Sequence, residues 1–171
     1  MKRPWISAAI ILLTPVFTWA IDTVTKRDGM NVGGEVKSIS RTEVVVFQKV
    51  GNKEHKIPAN EIVLIDWDGE PAEFGVARGH EAAGNFALAV ENLNEAADKA
   101  KALEPRIKAD INFYLARAAA RAAIVDPATA ADAISKLDGF IKAERDNFRY
   151  FEAQELLAEV ALRNNDVPKA D

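Results

Sequence analysis

The chain has 171 residues, of which 49% are hydrophobic and 28% are charged, so it is apolar enough to fold and too short for a large multidomain enzyme. Its formal charge of −4 argues against general binding to DNA or RNA, whose phosphates require a basic surface. The sequence contains no cysteine, which excludes disulfides, thiolate nucleophiles, iron–sulfur clusters and cysteine-ligated zinc.

The first twenty residues have the three-part layout of an export signal. Lys2 and Arg3 give a positively charged start, residues 6–16 form an apolar stretch, and Ala20 supplies the small residue that signal peptidase requires. The apolar stretch is shorter than the roughly 18 to 20 residues that span a bilayer. We therefore predict a cleaved signal peptide over residues 1–20 and a periplasmic or extracellular protein. An uncleaved N-terminal membrane anchor is the alternative.

The next fifty residues predict about five short β-strands. Alternating residues over 21–25 and the β-forming run over 44–47 indicate strands, and residues 58–61 can form one helical turn before the last strand. Gly33 and Gly34 are typical of a strongly bent strand, in which side chains would be too crowded.

This pattern resembles the SH3-like or Sm-like small β-barrel. The resemblance rests on Asp-Thr-Val, Asp-Gly, Gly-Glu-Val and Ile-Pro-x-x-Glu-Ile, and it covers residues 21–68. It implies a five-stranded barrel domain over residues 21–70. Barrels of this kind bind RNA, peptides or other domains, so the fold does not set an activity, and the acidic charge disfavours RNA.

Strand-forming residues become rare after residue 71, and alanine becomes frequent, which marks a domain boundary near residues 68–71. Apolar residues then recur at helical spacing. The predicted helices cover residues 74–83, 86–103, 107–125, 130–143 and 150–162.

Part of this helical region resembles the second-helix entry of a tetratricopeptide repeat (TPR). The residues that carry the resemblance are Gly84, Asn85, Phe86, Ala89, Leu93 and Ala96, and later Leu157, Ala158, Ala161, Asn165, Asp166 and Val167. The resemblance implies a TPR-like array over residues 72–171, with about two and a half units that are longer than the family's usual repeat. The predicted fold class is therefore α+β with two domains, a small β-barrel followed by an all-α repeat array.

The repeat alignment predicts a peptide groove along the first helices of successive units. It places Glu81 beside the groove residues, which are Phe74, Arg78, Phe113, Arg117 and Arg121. Aromatic side chains interleaved with arginines suit an acidic or carboxylate-ended peptide. The alternative is that these residues are core aromatics and ordinary exposed arginines.

Other candidate sites have simpler explanations. Residues 66–70 superficially resemble a calcium loop, but the twelfth position is Ala77, so the distal glutamate is missing. His55 and His80 have no serine or aspartate arranged nearby in sequence for a catalytic triad, and His80 is expected to pack between helices. We predict no catalytic residue, metal or cofactor.

These observations predict an exported, non-catalytic scaffold or adaptor that binds proteins or peptides of the cell envelope, without nucleic acid. The membrane would be involved only through an uncleaved signal segment.

The chain stops at Asp171, where the second helix of the third unit should start. This favours, as an alternative, the N-terminal accessory or targeting part of a longer envelope enzyme or secretion-complex subunit. An unpaired last helix would expose Leu156, Leu157 and Val160 and promote self-association.

Overall fold

A computed structural model describes residues 21–100 and 104–164 of the chain. The predicted signal peptide and the repeat residues 165–167 lie outside the described residues. Within them, the fold is α+β, with one five-stranded antiparallel sheet followed by five α-helices. The strands are β1 (Asp22–Lys26), β2 (Asn31–Ile39), β3 (Glu43–Gln48), β4 (Lys53–Pro58) and β5 (Ile62–Asp66). The helices are α1 (Ala72–Ala82), α2 (Phe86–Lys99), α3 (Pro105–Val125), α4 (Ala130–Ala143) and α5 (Tyr150–Arg163).

The strand order is β4-β3-β2-β1-β5, with all described pairs antiparallel. The predicted helical turn before the last strand is confirmed at Ala59–Glu61. After this turn, β5 pairs with β1 and not with β4. Strands β4 and β5 therefore form the two edges of the sheet. The described sheet is therefore not closed.

Strand β2 changes partner in its middle. It pairs with β1 up to Gly34 and with β3 from Glu35 onward. A Cβ atom on Gly34 would lie 2.5 Å from the carbonyl oxygen of Phe47, a distance at which the backbone would have to move, whereas a Cβ on Gly33 would make only ordinary contact. Only glycine allows the close approach of β2 and β3 at this point.

The helices pack in sequence order, and α3 also contacts both α1 and α5. Alanines at the interfaces, such as Ala89, Ala116 and Ala133, are fully buried and let neighbouring helices approach closely. Helix α3 begins at Pro105, two residues before the predicted start, because proline suits the first turn, where its missing N–H needs no partner.

One expectation about the last helix is wrong. Val160 is only 1% exposed, and Leu156 and Leu157 are partly buried against the core. The reason is that α5 packs on both α3 and α4, which leaves it less open than an unpaired terminal helix.

One cluster of buried hydrophobic residues runs from the sheet into the helices. It includes Val24 and Ile65 of the sheet, Trp67 after β5, and Phe74 and Phe113 of the helices. In the described part of the chain, no helix is long and apolar enough to cross a membrane.

Candidate functional site

The predicted groove residues come together, but two of them are in the core. Phe74 and Phe113 are 0% exposed, and each packs edge-on or tilted against other aromatic rings. In this conformation neither ring has surface with which to contact a peptide. The three arginines of the predicted groove bind carboxylates of the same chain. Of these, Arg78 and Arg117 also lie over the rings of Phe74 and Phe113.

Arg117 of α3 makes the most complete of these ion pairs. Its Nε and Nη2 atoms donate to the two carboxylate oxygens of Glu81 in α1, both at 2.7 Å, and its Nη1 donates to Glu152 of α5 at 3.1 Å. Arg121 lies 3.2 Å from the same Glu81 carboxylate. Burial by itself lowers the pKa of Arg117, but the hydrogen bonds with Glu81 together with the charges of Tyr114, Glu81 and Glu152 outweigh burial, so the pKa is raised. The guanidinium therefore stays charged and links three helices.

Arg149, which immediately precedes α5, connects these helices to the sheet. Its Nη2 donates to the carbonyl oxygen of Val63 in β5, and its Nη1 donates to Glu152, both at 2.9 Å. The guanidinium also lies 4.9 Å from the ring centre of Phe113, a distance typical of cation–π contact. Burial raises the pKa of Glu152, but the charges of Arg149 and Arg117 outweigh burial, so this pKa is lowered.

Asp110 of α3 is buried at the junction of sheet and helices. Its Oδ2 accepts a hydrogen bond from the indole Nε1 of Trp67 at 2.9 Å, and its Oδ1 lies 3.7 Å from Nε of Arg149 without a hydrogen bond from it. Burial raises the pKa of Asp110, and the nearby Arg149 charge reduces this effect without cancelling it. The carboxylate is thus held in an environment that disfavours its charged form.

Arg78 of α1 binds two acidic residues near the end of the sheet. It donates to Asp66 of β5 at 2.6 Å and to both carboxylate oxygens of Glu70, which in turn accepts from the backbone N–H of Trp67. Burial raises the pKa of Glu70, although the bond from Arg78 opposes that shift. The acidic segment 66–70, which superficially resembles a calcium loop, therefore has two of its carboxylates bound to an arginine of the same chain.

A fifth arginine, Arg106, binds the backbone of β2. Asp22, only 3% exposed, accepts from the backbone N–H groups of Val36 and Asp68, both at 3.0 Å. Arg106 donates to the carbonyl oxygen of Val36 at 3.0 Å and lies 3.3 Å from Asp22. At Val36, the side chains of Asp22 and Arg106 thus bind the backbone N–H and carbonyl groups that a neighbouring strand would otherwise bind.

Neither histidine joins these ion pairs. His55 Nε2 lies 2.8 Å from the side-chain oxygen of Gln48, and His80 is partly buried on α1. Among the described residues, no group of three His, Cys, Asp or Glu side chains is arranged to hold a metal ion.

Surface clefts border these ion pairs, because Arg106 lines one of them and Glu152 lines another. One cleft, of about 840 Å³, lies over Gly33 and Gly34 and includes Ile21, Phe47 and Val50. Another, of about 330 Å³, lies between the turns at one end of the sheet and α5. We call it the α5 cleft, and its main lining residues are Arg27, Arg41, Asn60, Phe148, Phe151 and Glu155.

The sequence interpretation missed Asp110, Arg149, Trp67 and the arginines of the α5 cleft. For Arg149 a signal was present, because a cation just before a helix opposes the helix dipole and indicates another partner. For Asp110 the signal was an aspartate among apolar residues such as Ile107, Ile111 and Phe113. In comparisons with known protein families, curated proteins and solved structures, the chain has no match.

Proposed function

We propose that the protein is an exported, non-catalytic adaptor of the cell envelope that binds other proteins through its surface. Its N-terminal signal layout supports export, and the helical packing supports binding of proteins. The observation that carries the proposal is that α3 contacts α1 and α5 as well as its sequence neighbours. This is the arrangement expected of helix pairs stacked in a repeat array, whose common use is to present binding surfaces.

The finer fold assignment is part of the proposal. The strand order β4-β3-β2-β1-β5, the change of partner of β2 at Gly34 and the helical turn at Ala59–Glu61 support the resemblance to a small SH3-like barrel. Gly84, with its positive φ of 78°, and the alternating helix contacts support the TPR-like assignment.

The arginines of the predicted groove argue for a change in where the partner binds. Arg78 and Arg117 already bind Glu70 and Glu81, so a partner carboxylate would have to displace a carboxylate of this chain. We therefore place the adaptor's binding surface on the outer faces of the molecule, and assign to these ion pairs the role of holding sheet and helices together.

The test is crosslinking in the living organism that encodes the protein. The full chain carries a C-terminal tag, and a matched control lacks residues 2–20 but keeps every described residue. An adaptor should crosslink to particular envelope proteins only when the signal is present, and its mass should match a chain that starts at Ile21. Retention in the cytoplasm, or the same crosslinks from both chains, would contradict the proposal. An endogenous protein well above 18.7 kDa would favour the accessory part of a longer envelope protein.

A further inference from the structure

The α5 cleft combines aromatic surface with arginines that are weakly paired. Arg27 donates through Nε to the carbonyl oxygen of Asn60 at 2.6 Å, and among the described residues no carboxylate forms an ion pair with it. Arg41 donates to the carbonyl oxygen of Arg145, and its ion pair with Asp146 is 3.7 Å long and involves a carboxylate that is 92% exposed. Such an exposed pair is screened by water and salt.

These two arginines differ from those inside the molecule. Arg78, Arg117 and Arg149 each have a carboxylate of the chain within 3.1 Å. At Arg27 and Arg41 the internal partners are mainly carbonyl oxygens, which carry no full negative charge. The end of the α5 cleft at these two arginines is therefore locally positive, on a chain whose net charge is −4.

The aromatic part of the cleft is held in place. The Arg41 guanidinium lies 4.3 Å from the ring centre of Tyr150, whose ring is in turn 5.5 Å from that of Phe151 in an edge-on arrangement. Phe151 is nevertheless 50% exposed, whereas Phe148, which also lines the cleft, is 5% exposed. A half-exposed ring that its neighbours already hold can bind an apolar side chain with little loss of conformational entropy.

The acidic side chains at the cleft do not neutralise these arginines. Both carboxylate oxygens of Glu152 are taken by Arg117 and Arg149. Glu155 lies one helical turn beyond Phe151 on the same face of α5. The cleft thus has a positive end at the sheet turns, an aromatic middle, and a negative end at Glu155.

We propose that the α5 cleft binds a short acidic peptide segment of a partner protein, in which an aspartate or glutamate is followed by an apolar residue. The partner carboxylate binds between Arg27 and Arg41, and the apolar side chain packs on Phe151. A volume of about 330 Å³ is at the lower end for ligand sites and fits a short segment. Two arginines on an acidic molecule are too few for an extended nucleic acid. This inference rests on the proposed adaptor function and names its partner class.

The experiment is an NMR titration of the purified, ¹⁵N-labelled full chain with two peptides. One is acetyl-Gly-Asp-Phe-Leu-Gly-amide, and the other replaces its aspartate by asparagine. The acidic peptide should shift the amide signals of Thr42, Asn60, Phe151 and Glu155, with an affinity that falls as salt is added. The asparagine peptide should bind at least tenfold more weakly.

Arg27→Glu should weaken binding of the acidic peptide at least tenfold, because it replaces a partner of the peptide carboxylate by a like charge. The fold should tolerate the change, since the exposed Arg27 side chain makes one hydrogen bond, to the carbonyl oxygen of Asn60. Lys53→Glu, the same charge change on exposed β4, is the control and should alter the affinity less than twofold. If Arg27→Glu loses signal dispersion, Arg27→Gln replaces it and should weaken binding severalfold.

The proposal is overturned if neither peptide binds, if both bind equally, if the shifts lie outside the cleft, or if Arg27→Glu and Lys53→Glu behave alike. These failures differ from failure of the adaptor function. A negative titration excludes this occupant, while crosslinking to envelope proteins tests the adaptor function separately.

Discussion

Replacement of Arg117 by methionine should strongly destabilise the fold. The substitution removes two 2.7 Å hydrogen bonds from Glu81, whose side chain is 2% exposed, and a 4.1 Å cation–π contact with Tyr114. Breaking a buried ion pair by removing one partner costs about 3–5 kcal/mol. Because Arg121 still lies 3.2 Å from Glu81, we expect the lower end, about 3 kcal/mol, and a fall in Tm of about 6–12 °C.

Urea and thermal unfolding followed by circular dichroism measure this loss. The control is Arg163→Met, which removes a half-exposed i,i+4 pair with Glu159 and should cost less than about 0.5 kcal/mol. The double variant Glu81→Leu with Arg117→Met removes both buried charges and should recover to within about 1 kcal/mol of the wild type. The reasoning fails if the double variant is as unstable as Arg117→Met, or if Arg117→Met matches the Arg163 control.

Three further substitutions test other parts of the structure. Gly34→Ala should cost more than about 1 kcal/mol because its Cβ would meet the Phe47 carbonyl at 2.5 Å, whereas Gly33→Ala should be nearly neutral; equal urea midpoints would contradict this. Burial raises the pKa of Asp110 above 3.8, so the wild type loses stability as the pH rises towards that raised pKa, whereas the Asp110→Asn variant does not. The free energy of unfolding of the variant minus that of the wild type should therefore increase between about pH 4 and pH 7. Urea unfolding across that range measures the difference, and a decrease with pH would have the wrong sign. Trp67→Phe removes the 2.9 Å hydrogen bond to the Asp110 carboxylate and should cost about 1–3 kcal/mol in thermal unfolding, so an unchanged Tm would show that this bond does not stabilise the junction.

Local signals predicted the elements well. Gly34 marked the point where β2 changes partner, and the α4 boundaries agree with the predicted residues 130–143, because turn residues and helical periodicity act over a few residues. The α+β class followed from the change in composition near residue 70. Closure of the sheet depends on how distant strands meet, and the described sheet is open.

The ion pairs were harder to predict because they join distant residues. The repeat alignment placed Glu81 beside Arg117, 36 residues later, but it did not show that the two charges bind each other in the core. Arg149 and Val63 are 86 residues apart, and no periodic pattern connects a side chain in a loop to the carbonyl of an edge strand. The burial of Val160 was missed because it depends on the combined packing of three helices.

The bond from Arg149 to Val63 has a consequence for the order of synthesis. Strand β5 is made early, but the side chain that binds its outer backbone is made 86 residues later. Until then, Val63 presents an unpaired carbonyl on an edge strand, the kind of edge with which another chain can pair. A ribosome that stops before α5 would thus release a chain whose defect appears in the sheet, far in sequence from the missing helix.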